Sequence, residues 1–212
     1  WEEPDGLQFL SVPTTAYYGL QLPECGVNNE TEVLIALHGW GQSCRSFLRK
    51  FSSLKTQNIL VIAPQAPHQF YLDRETRKIG FGWLTAFDRR RAIPDVIRGL
   101  DLVLSRVLGE LALAPISPFI LGFSQGVSMA YRYAISGHEA VAGVIACGGD
   151  LPPDVEEVLP DEPRFPVLLV HGREDGIVPW SKAEAAERAL KSHSFTVDTH
   201  GFAGGHDLPG DL

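Results

Sequence analysis

The chain has no apolar run that approaches the roughly 18 residues of a membrane-spanning helix, so no stable membrane insertion is expected. Basic residues are also few: 18 lysines and arginines stand against 26 aspartates and glutamates, which gives a formal net charge of −8. Because nucleic-acid-binding surfaces are usually basic, this balance argues against a nucleic-acid partner. The length of 212 residues, with 44% hydrophobic and 21% charged positions, predicts a single domain with a sizeable core over residues 1–212.

Cysteine is scarce as well. Cys25, Cys44 and Cys147 are odd in number, lie far apart in the sequence and show no metal-ligand spacing. Such usage is typical of a reducing compartment, so we expect a cytoplasmic protein without a bound metal or other cofactor. The chain begins at Trp1 and not at methionine, which is also compatible with a removed upstream segment such as a signal peptide.

Short apolar runs alternate with helical patterns along the chain. The runs from Leu7 to Val12 and from Ala16 to Leu22 predict an antiparallel hairpin at a sheet edge. Further strands are predicted at Glu32–Leu37, Asn58–Ala63, Phe119–Phe123, Val141–Cys147, Pro166–Val170 and Ser194–Thr199. Helices are predicted from Ser43 to about Leu54, from Pro94 in a first turn to Leu111, from Gln125 to Ile135, and from a Ser181 cap to Lys191. The alternation predicts an α/β fold with a mostly parallel central sheet and helices on both faces.

Residues 64–92 break this rhythm, because their aromatic and basic residues follow no sustained period. Long irregular segments in compact domains are usually functional, so residues 68–92 are predicted to form an excursion over an active site. The arginine run at 89–91 could steer anionic substrates, although such a run is more often a solvated face.

The clearest chemical motif is Gly122-Phe123-Ser124-Gln125-Gly126, which lies between an apolar strand and a helix. This context is typical of a nucleophile elbow, in which a sharp turn lifts a serine hydroxyl above the sheet. A serine nucleophile needs a histidine to accept its proton and a carboxylate to orient that histidine. The chain order then predicts a catalytic triad of Ser124, Asp175 and His206.

Other residues compete for these roles. Asp150 also follows a strand end and glycines, and Asp175 alone could be a simple turn residue. The other histidines stand at positions 38, 68, 138, 171, 193 and 200, and none combines a late loop with flanking glycines as His206 does. The backbone N–H groups of Trp40 and Gln125 are the predicted oxyanion-hole donors, with a plain strand-to-helix turn as the alternative.

These motifs resemble those of the phospholipase/carboxylesterase family of α/β-hydrolases. The matching stretches are His38-Gly39-Trp40-Gly41, Ala63-Pro64-Gln65-Ala66-Pro67, Trp83, the elbow at 122–126, Val170-His171-Gly172 with Asp175 and Val178-Pro179, and Gly205-His206. The resemblance implies an α/β-hydrolase fold without a large cap domain, metal-free ester hydrolysis through an acyl-enzyme, and a possible homodimer. It departs at Val127 and Gln42, where the family has glycine and often aspartate, and at Leu212, where the family's last helix would begin.

The predicted function is therefore a serine hydrolase that cleaves small-molecule carboxylic esters with short to medium acyl chains. By the resemblance Trp83 is a candidate for the acyl pocket, and Phe81 and Phe87 are further apolar candidates that could equally be ordinary core residues. The alternatives are an acyl-thioesterase or lysophospholipase of the same family, a dienelactone-hydrolase-like or peptidase-like enzyme, and a non-catalytic binding module.

Overall fold

The computed structural model describes residues 4–136 and 140–210, and it is built around a seven-stranded sheet. The strands of this sheet are β1 (Tyr18–Gln21), β2 (Glu32–Leu37), β3 (Ile59–Pro64), β6 (Phe119–Phe123), β7 (Gly143–Cys147), β8 (Val167–Gly172) and β9 (Val197–Phe202), in the spatial order β1-β3-β2-β6-β7-β8-β9. Strands β4 (His68–Asp73) and β5 (Lys78–Gly82) form a separate antiparallel hairpin. Only β1 runs antiparallel to its neighbour within the described sheet, so the carboxyl ends of the other strands share one edge.

The helices are α1 (Cys44–Leu48), α2 (Arg89–Glu110), α3 (Gln125–Ser136), α4 (Pro153–Glu156) and α5 (Trp180–Ser192), with a 3₁₀ segment at Arg49–Thr56 after α1. Ser43 caps α1 as its sequence predicts, because its side chain accepts a hydrogen bond from the Ser46 N–H and the Ser46 hydroxyl accepts one from the Ser43 N–H. Within the described ranges, no helix is both long and apolar enough to cross a bilayer.

Strand β2 shows how the sheet divides the core in two. Its side chains alternate: Val33, Ile35 and Leu37 belong to a cluster that includes residues of α2 and α3. Leu34 and Ala36 belong to a second cluster with Phe47 and Phe51, from α1 and the 3₁₀ segment. Successive side chains of a strand point to opposite faces, so a nearly continuous apolar run buries both faces of a central parallel strand.

The predicted fold class is confirmed, but the predicted pairing of residues 7–12 with residues 16–22 is wrong. Residues 7–12 form no strand, and β1 pairs instead with β3, with Tyr18 opposite Pro64 at one end. Leu7, Phe9, Leu10 and Val12 are mostly exposed, so their apolar character does not reflect a buried strand face.

Residues 68–92 also differ from the prediction of an irregular excursion. They contain the β4–β5 hairpin and the first turn of α2, which begins at Arg89 and places Pro94 inside the helix. The period-2 signal is weak because most of β4 is exposed, and because Gly80 and Gly82 leave positions of β5 without side chains.

One predicted helix start is wrong. Helix α5 begins at Trp180 after Pro179, so Ser181 does not cap it. Between β7 and β8 the chain also forms the short helix α4, whose Val155 is buried.

Candidate active site

Ser124 lies at the turn between β6 and α3, where the sequence predicts the elbow. Its φ of 52° is in the left-handed region, which costs a non-glycine residue of order 1 to 3 kcal/mol. The Ser124 N–H donates to the Cys147 carbonyl at 2.9 Å, and the Val127 N–H donates back to the Ser124 carbonyl at 3.0 Å. These bonds hold the serine in its strained conformation at the carboxyl end of the sheet.

Two glycines make this sharp turn possible through close approach. A Cβ on Gly122 would lie 2.5 Å from the Gly126 carbonyl carbon, and one on Gly126 would lie 2.2 Å from the Leu37 carbonyl oxygen. Because neither distance is compatible with a side chain, α3 can start directly against β6 and β2 only when both positions are glycine.

Asp175 lies in the loop after β8 and is buried. Its Oδ1 accepts hydrogen bonds from the Ile177 and Val178 N–H groups, both at 2.8 Å, and its Oδ2 lies 2.7 Å from His206 Nδ1. Burial acts to raise the pKa of Asp175, but these hydrogen bonds, that of His206 foremost, outweigh it and the pKa lies below its usual value. The carboxylate is therefore ionised at neutral pH and can only accept, so in the neutral imidazole His206 Nδ1 carries the proton and Nε2 presents the lone pair.

His206 lies beside the serine elbow. Its ring packs against Phe123, the residue before the serine, with centroids 5.0 Å apart. A Cβ on Gly148 would lie 3.5 Å from His206 Nδ1, and the preceding residue, Cys147, accepts the Ser124 N–H bond. The end of β7 and Gly148 just after it therefore adjoin the nucleophile turn and the imidazole, respectively.

The rivals of Asp175 and His206 have other environments. The Asp150 carboxylate is half exposed and lies 3.7 Å from Lys182 Nζ. His171 is buried, with Nε2 2.8 Å from the Val178 carbonyl, so it supports the loop that carries Asp175. His68, His193 and His200 lie in β4, at the end of α5 and in β9, and His138 lies outside the described residues.

His38 anchors the turn at 38–41 that carries Trp40. Its Nδ1 lies 2.8 Å from the Gly39 carbonyl, and its Nε2 lies 3.1 Å from the Ala66 N–H and 2.8 Å from the Gln65 amide nitrogen. Burial lowers the pKa of His38 to about 4, against a smaller opposing effect of the Gly39 hydrogen bond. The ring is therefore neutral at physiological pH, with Nδ1–H as donor and Nε2 as acceptor, and it fixes the turn.

The two predicted oxyanion donors are the Trp40 and Gln125 N–H groups. Among the described residues, no backbone or side-chain acceptor takes a hydrogen bond from the Trp40 N–H. The Gln125 N–H belongs to the first residue of α3, where it has no intrahelical acceptor. A Cβ placed on Gly39 would lie 3.2 Å from Ser124 Cβ, so the turn that carries Trp40 directly adjoins the nucleophile.

The pocket candidates lie in different surroundings. Trp83 is only 1% exposed and packs in the core, Phe81 is partly buried against the same core, and Phe87 is 44% exposed. The exposed apolar surface at the turn comes instead from the Trp40 side chain, 48% exposed, which stacks on Phe70 at 4.3 Å between ring centroids. The sequence did not predict Phe70 as a pocket residue. Its inward position is evident only from the alternation of partly buried and exposed residues along β4 in the structure.

Comparisons with known proteins bear on the family and the fold of the chain. A family model described as Phospholipase/Carboxylesterase matches residues 23–211. The crystal structure of esterase PE8 superposes with a TM-score of 0.75 at 23% identity, over 93% of this chain and 94% of that one. The crystal structure of the Bacillus cereus carboxylesterase gives 0.69 at 16% identity, over 91% and 87% of the two chains.

One curated relative is similar in sequence over a shorter stretch. NocK of Nocardia uniformis subsp. tsuyamanensis, which is named as an esterase, is 31% identical over 108 residues. That stretch spans half of this chain and 31% of the length of the relative.

Within residues 4–136 and 140–210, His, Cys, Asp and Glu side chains form no group of three that could bind a metal.

Proposed function

Because the chain belongs to the phospholipase/carboxylesterase family, we propose that it hydrolyses carboxylic esters with Ser124 as nucleophile, His206 as general base and Asp175 as the group that orients His206. The observation that carries this proposal is the 2.7 Å contact between His206 Nδ1 and the buried Asp175 carboxylate, beside a serine in a left-handed elbow. A neutral imidazole held in this tautomer presents its free Nε2 as a proton acceptor.

The reaction proceeds in two steps, acylation of Ser124 and hydrolysis of the acyl-enzyme. In the first step the Ser124 hydroxyl loses its proton to His206 Nε2 as the serine oxygen bonds to the ester carbonyl carbon, and the electron pair of the carbonyl double bond moves to the carbonyl oxygen. The tetrahedral intermediate collapses, the carbon–oxygen bond to the alcohol breaks, and the alcohol takes the proton from His206. Water then attacks the acyl-enzyme by the same route, which releases the acid and restores Ser124.

The Trp40 and Gln125 N–H groups support this chemistry as oxyanion donors. Preorganised donors lower the barrier because they stabilise charge that develops only in the transition state. The fixed turn at 38–41 and the start of α3 meet this requirement, since neither group must reorganise at the moment of attack.

For the substrate we propose an ester with a short to medium acyl chain. The stacked pair of Trp40 and Phe70 offers an apolar surface beside the serine elbow, which suits an acyl group of a few carbons. Trp83 contributes to this site from the core, as support for the turn.

The test is hydrolysis of p-nitrophenyl esters from acetate to palmitate, together with labelling by a fluorophosphonate probe. We expect activity that is highest for short and medium chains and labelling of the wild-type protein, and we expect Ser124→Ala to lose both.

Asp175 and Asp150 offer a matched pair of substitutions. Asp175→Asn is expected to lower kcat by about 10⁴-fold, because the imidazole takes the wrong tautomer.

Asp150→Asn makes the same chemical change on the half-exposed rival and is expected to keep kcat within about twofold. Equal losses in the two variants would contradict the assigned triad. Higher activity on palmitoyl or thioester substrates would favour the thioesterase alternative, and absence of both hydrolysis and labelling would favour a binding module.

A further inference from the structure

A short segment links the two backbone stretches that carry the proposed oxyanion donors. This bridge segment, residues 81–84, runs from the end of β5 into the loop before α2. It contacts the turn at 38–41 on one side and the start of α3 on the other. These two contacts involve different hydrogen bonds.

On the side of the turn, the contacts flank the Trp40 N–H. The Trp83 indole N–H donates to the His38 carbonyl at 2.7 Å, and the Gly41 N–H donates to the Phe81 carbonyl at 2.8 Å. The peptide that carries the Trp40 N–H lies between these two anchored peptides. Because Trp83 is only 1% exposed and packs in the core, the anchor is rigid.

On the side of the elbow, the contacts come from the Gln125 side chain. Its Oε1 accepts from the Trp83 N–H at 2.7 Å, and its Nε2 donates to the Leu84 carbonyl at 2.9 Å. The amide therefore accepts a hydrogen bond from one residue of the bridge segment and donates one to the next, which fixes the position and the rotation of the Gln125 side chain relative to that segment. The backbone N–H of the same residue is the second oxyanion donor.

We infer that the Gln125 side-chain amide and the Trp83 indole are positioning residues, which set the distance between the Trp40 and Gln125 N–H groups through the bridge segment. The inference rests on the proposed hydrolase function and adds a role for two side chains that do not touch the substrate. Oxyanion donors are effective at about 2.7–3.1 Å from the developing charge and must be held within about 0.5 Å of that geometry. A segment bonded to both stretches supplies that precision.

The test replaces Gln125 with methionine, which keeps the backbone N–H and nearly the same length but loses both side-chain hydrogen bonds. We expect kcat to fall by about 10- to 100-fold with KM within about twofold, since complete removal of one donor costs about 10²- to 10³-fold. Protein concentrations are normalised by fluorophosphonate titration. Trp83→Phe, which removes the indole donor, is expected to lower kcat in the same direction.

Gln21→Met is the matched control. Gln21 is also buried, and its amide also donates to a backbone carbonyl, that of Phe51 at 2.6 Å, but it lies on β1 at the far edge of the sheet. Gln21→Met makes the same chemical change but removes one such hydrogen bond, where Gln125→Met removes two. We expect the thermal unfolding temperature of Gln21→Met to fall, with kcat unchanged.

Inhibitors separate positioning from general destabilisation. A trifluoromethyl ketone forms a tetrahedral adduct whose oxyanion needs the donors, whereas the matching methyl ketone binds without forming it to a comparable extent. For Gln125→Met, affinity for the trifluoromethyl ketone is expected to fall by the same factor as kcat/KM, with methyl ketone affinity unchanged.

Two results would overturn the inference: unchanged kcat in Gln125→Met, with or without a change in KM, or equal losses of kcat in Gln125→Met and Gln21→Met. In each of these cases an active, labelled wild-type protein leaves the proposed function intact. A wild-type protein that neither hydrolyses any ester nor reacts with the fluorophosphonate overturns both.

Discussion

His38 shows how a single proton controls the turn that carries Trp40. Its Nε2 must stay unprotonated to accept the Ala66 N–H bond, and burial lowers its pKa to about 4 from an ordinary value near 6.5. The unfolded chain therefore binds this proton more readily, so the contribution of His38 to stability is complete above about pH 6.5 and is lost as the pH falls towards 4. The shift corresponds to about 3 kcal/mol at most.

The measurement is a pH titration of histidine ring resonances by NMR, with His38→Gln to assign the signal. We expect the His38 signal to stay in its neutral position down to about pH 5. The unfolding free energy of the wild-type protein should fall more steeply between pH 6.5 and 4 than that of His38→Gln. A His38 signal that titrates near pH 6.5 would contradict the proposed role of burial.

At the scale of the residue, the proposed triad rests on sequence signals that are local. Ser124 lies between spaced glycines, and His206 and Asp175 follow in the order expected of a triad, and the structure brings the last two together. The surroundings of Trp83 were not predictable, because its burial and its bond to the His38 carbonyl depend on a contact across 45 residues.

The β4–β5 hairpin depends on a close approach between its glycines and the Trp40 turn. A Cβ on Gly82 would lie 2.4 Å from the Trp40 ring, so Gly82→Ala must displace the indole from its stack on Phe70. If that surface binds the acyl chain, displacement removes roughly 50 Å² of apolar contact and lowers kcat/KM for a hexanoyl ester by about tenfold. The acetyl ester is expected to lose less, because it reaches less of the surface.

The control is Gly99→Ala in α2, where an added Cβ meets no atom within 4 Å. It is expected to raise helix stability by about 0.5 to 1 kcal/mol without changing the preference for acyl length. Steady-state kinetics on acetyl and hexanoyl esters measures both variants. An equal fall for the two esters in Gly82→Ala would separate the hairpin from acyl recognition.

At the scale of the element, prediction succeeded where burial made the pattern continuous. Strand β2 and strand β3 are buried on both faces, and their apolar runs place them to within a residue. The same reasoning failed for residues 7–12, where the apolar residues are exposed, and for β4, where an exposed hairpin carries a weak pattern. Apolar character predicts a strand only when tertiary contacts bury it.

For the whole molecule, the sheet begins at Tyr18, and the described residues before it add little buried surface. Leu7, Phe9, Leu10 and Val12 are between 62 and 85% exposed, and the clearest contact of this segment is Arg91 over the Phe9 ring at 3.9 Å. An exposed cation–π contact contributes about 0.5 to 1 kcal/mol. A chain that starts at Thr14 is therefore expected to unfold within about 4 °C of the full chain, since 1 kcal/mol shifts a domain of this size by about 2 to 4 °C.

The truncated chain should also keep its esterase activity, because no residue of the proposed triad or oxyanion hole lies before Trp40. Removal of four exposed apolar side chains is expected to reduce self-association, which sedimentation velocity measures alongside thermal unfolding. Phe9→Ala in the full chain isolates the contact with Arg91 and should account for most of any loss in stability. A fall of more than about 8 °C, or lost activity in the soluble truncated protein, would show that the segment supports the sheet through contacts beyond this one.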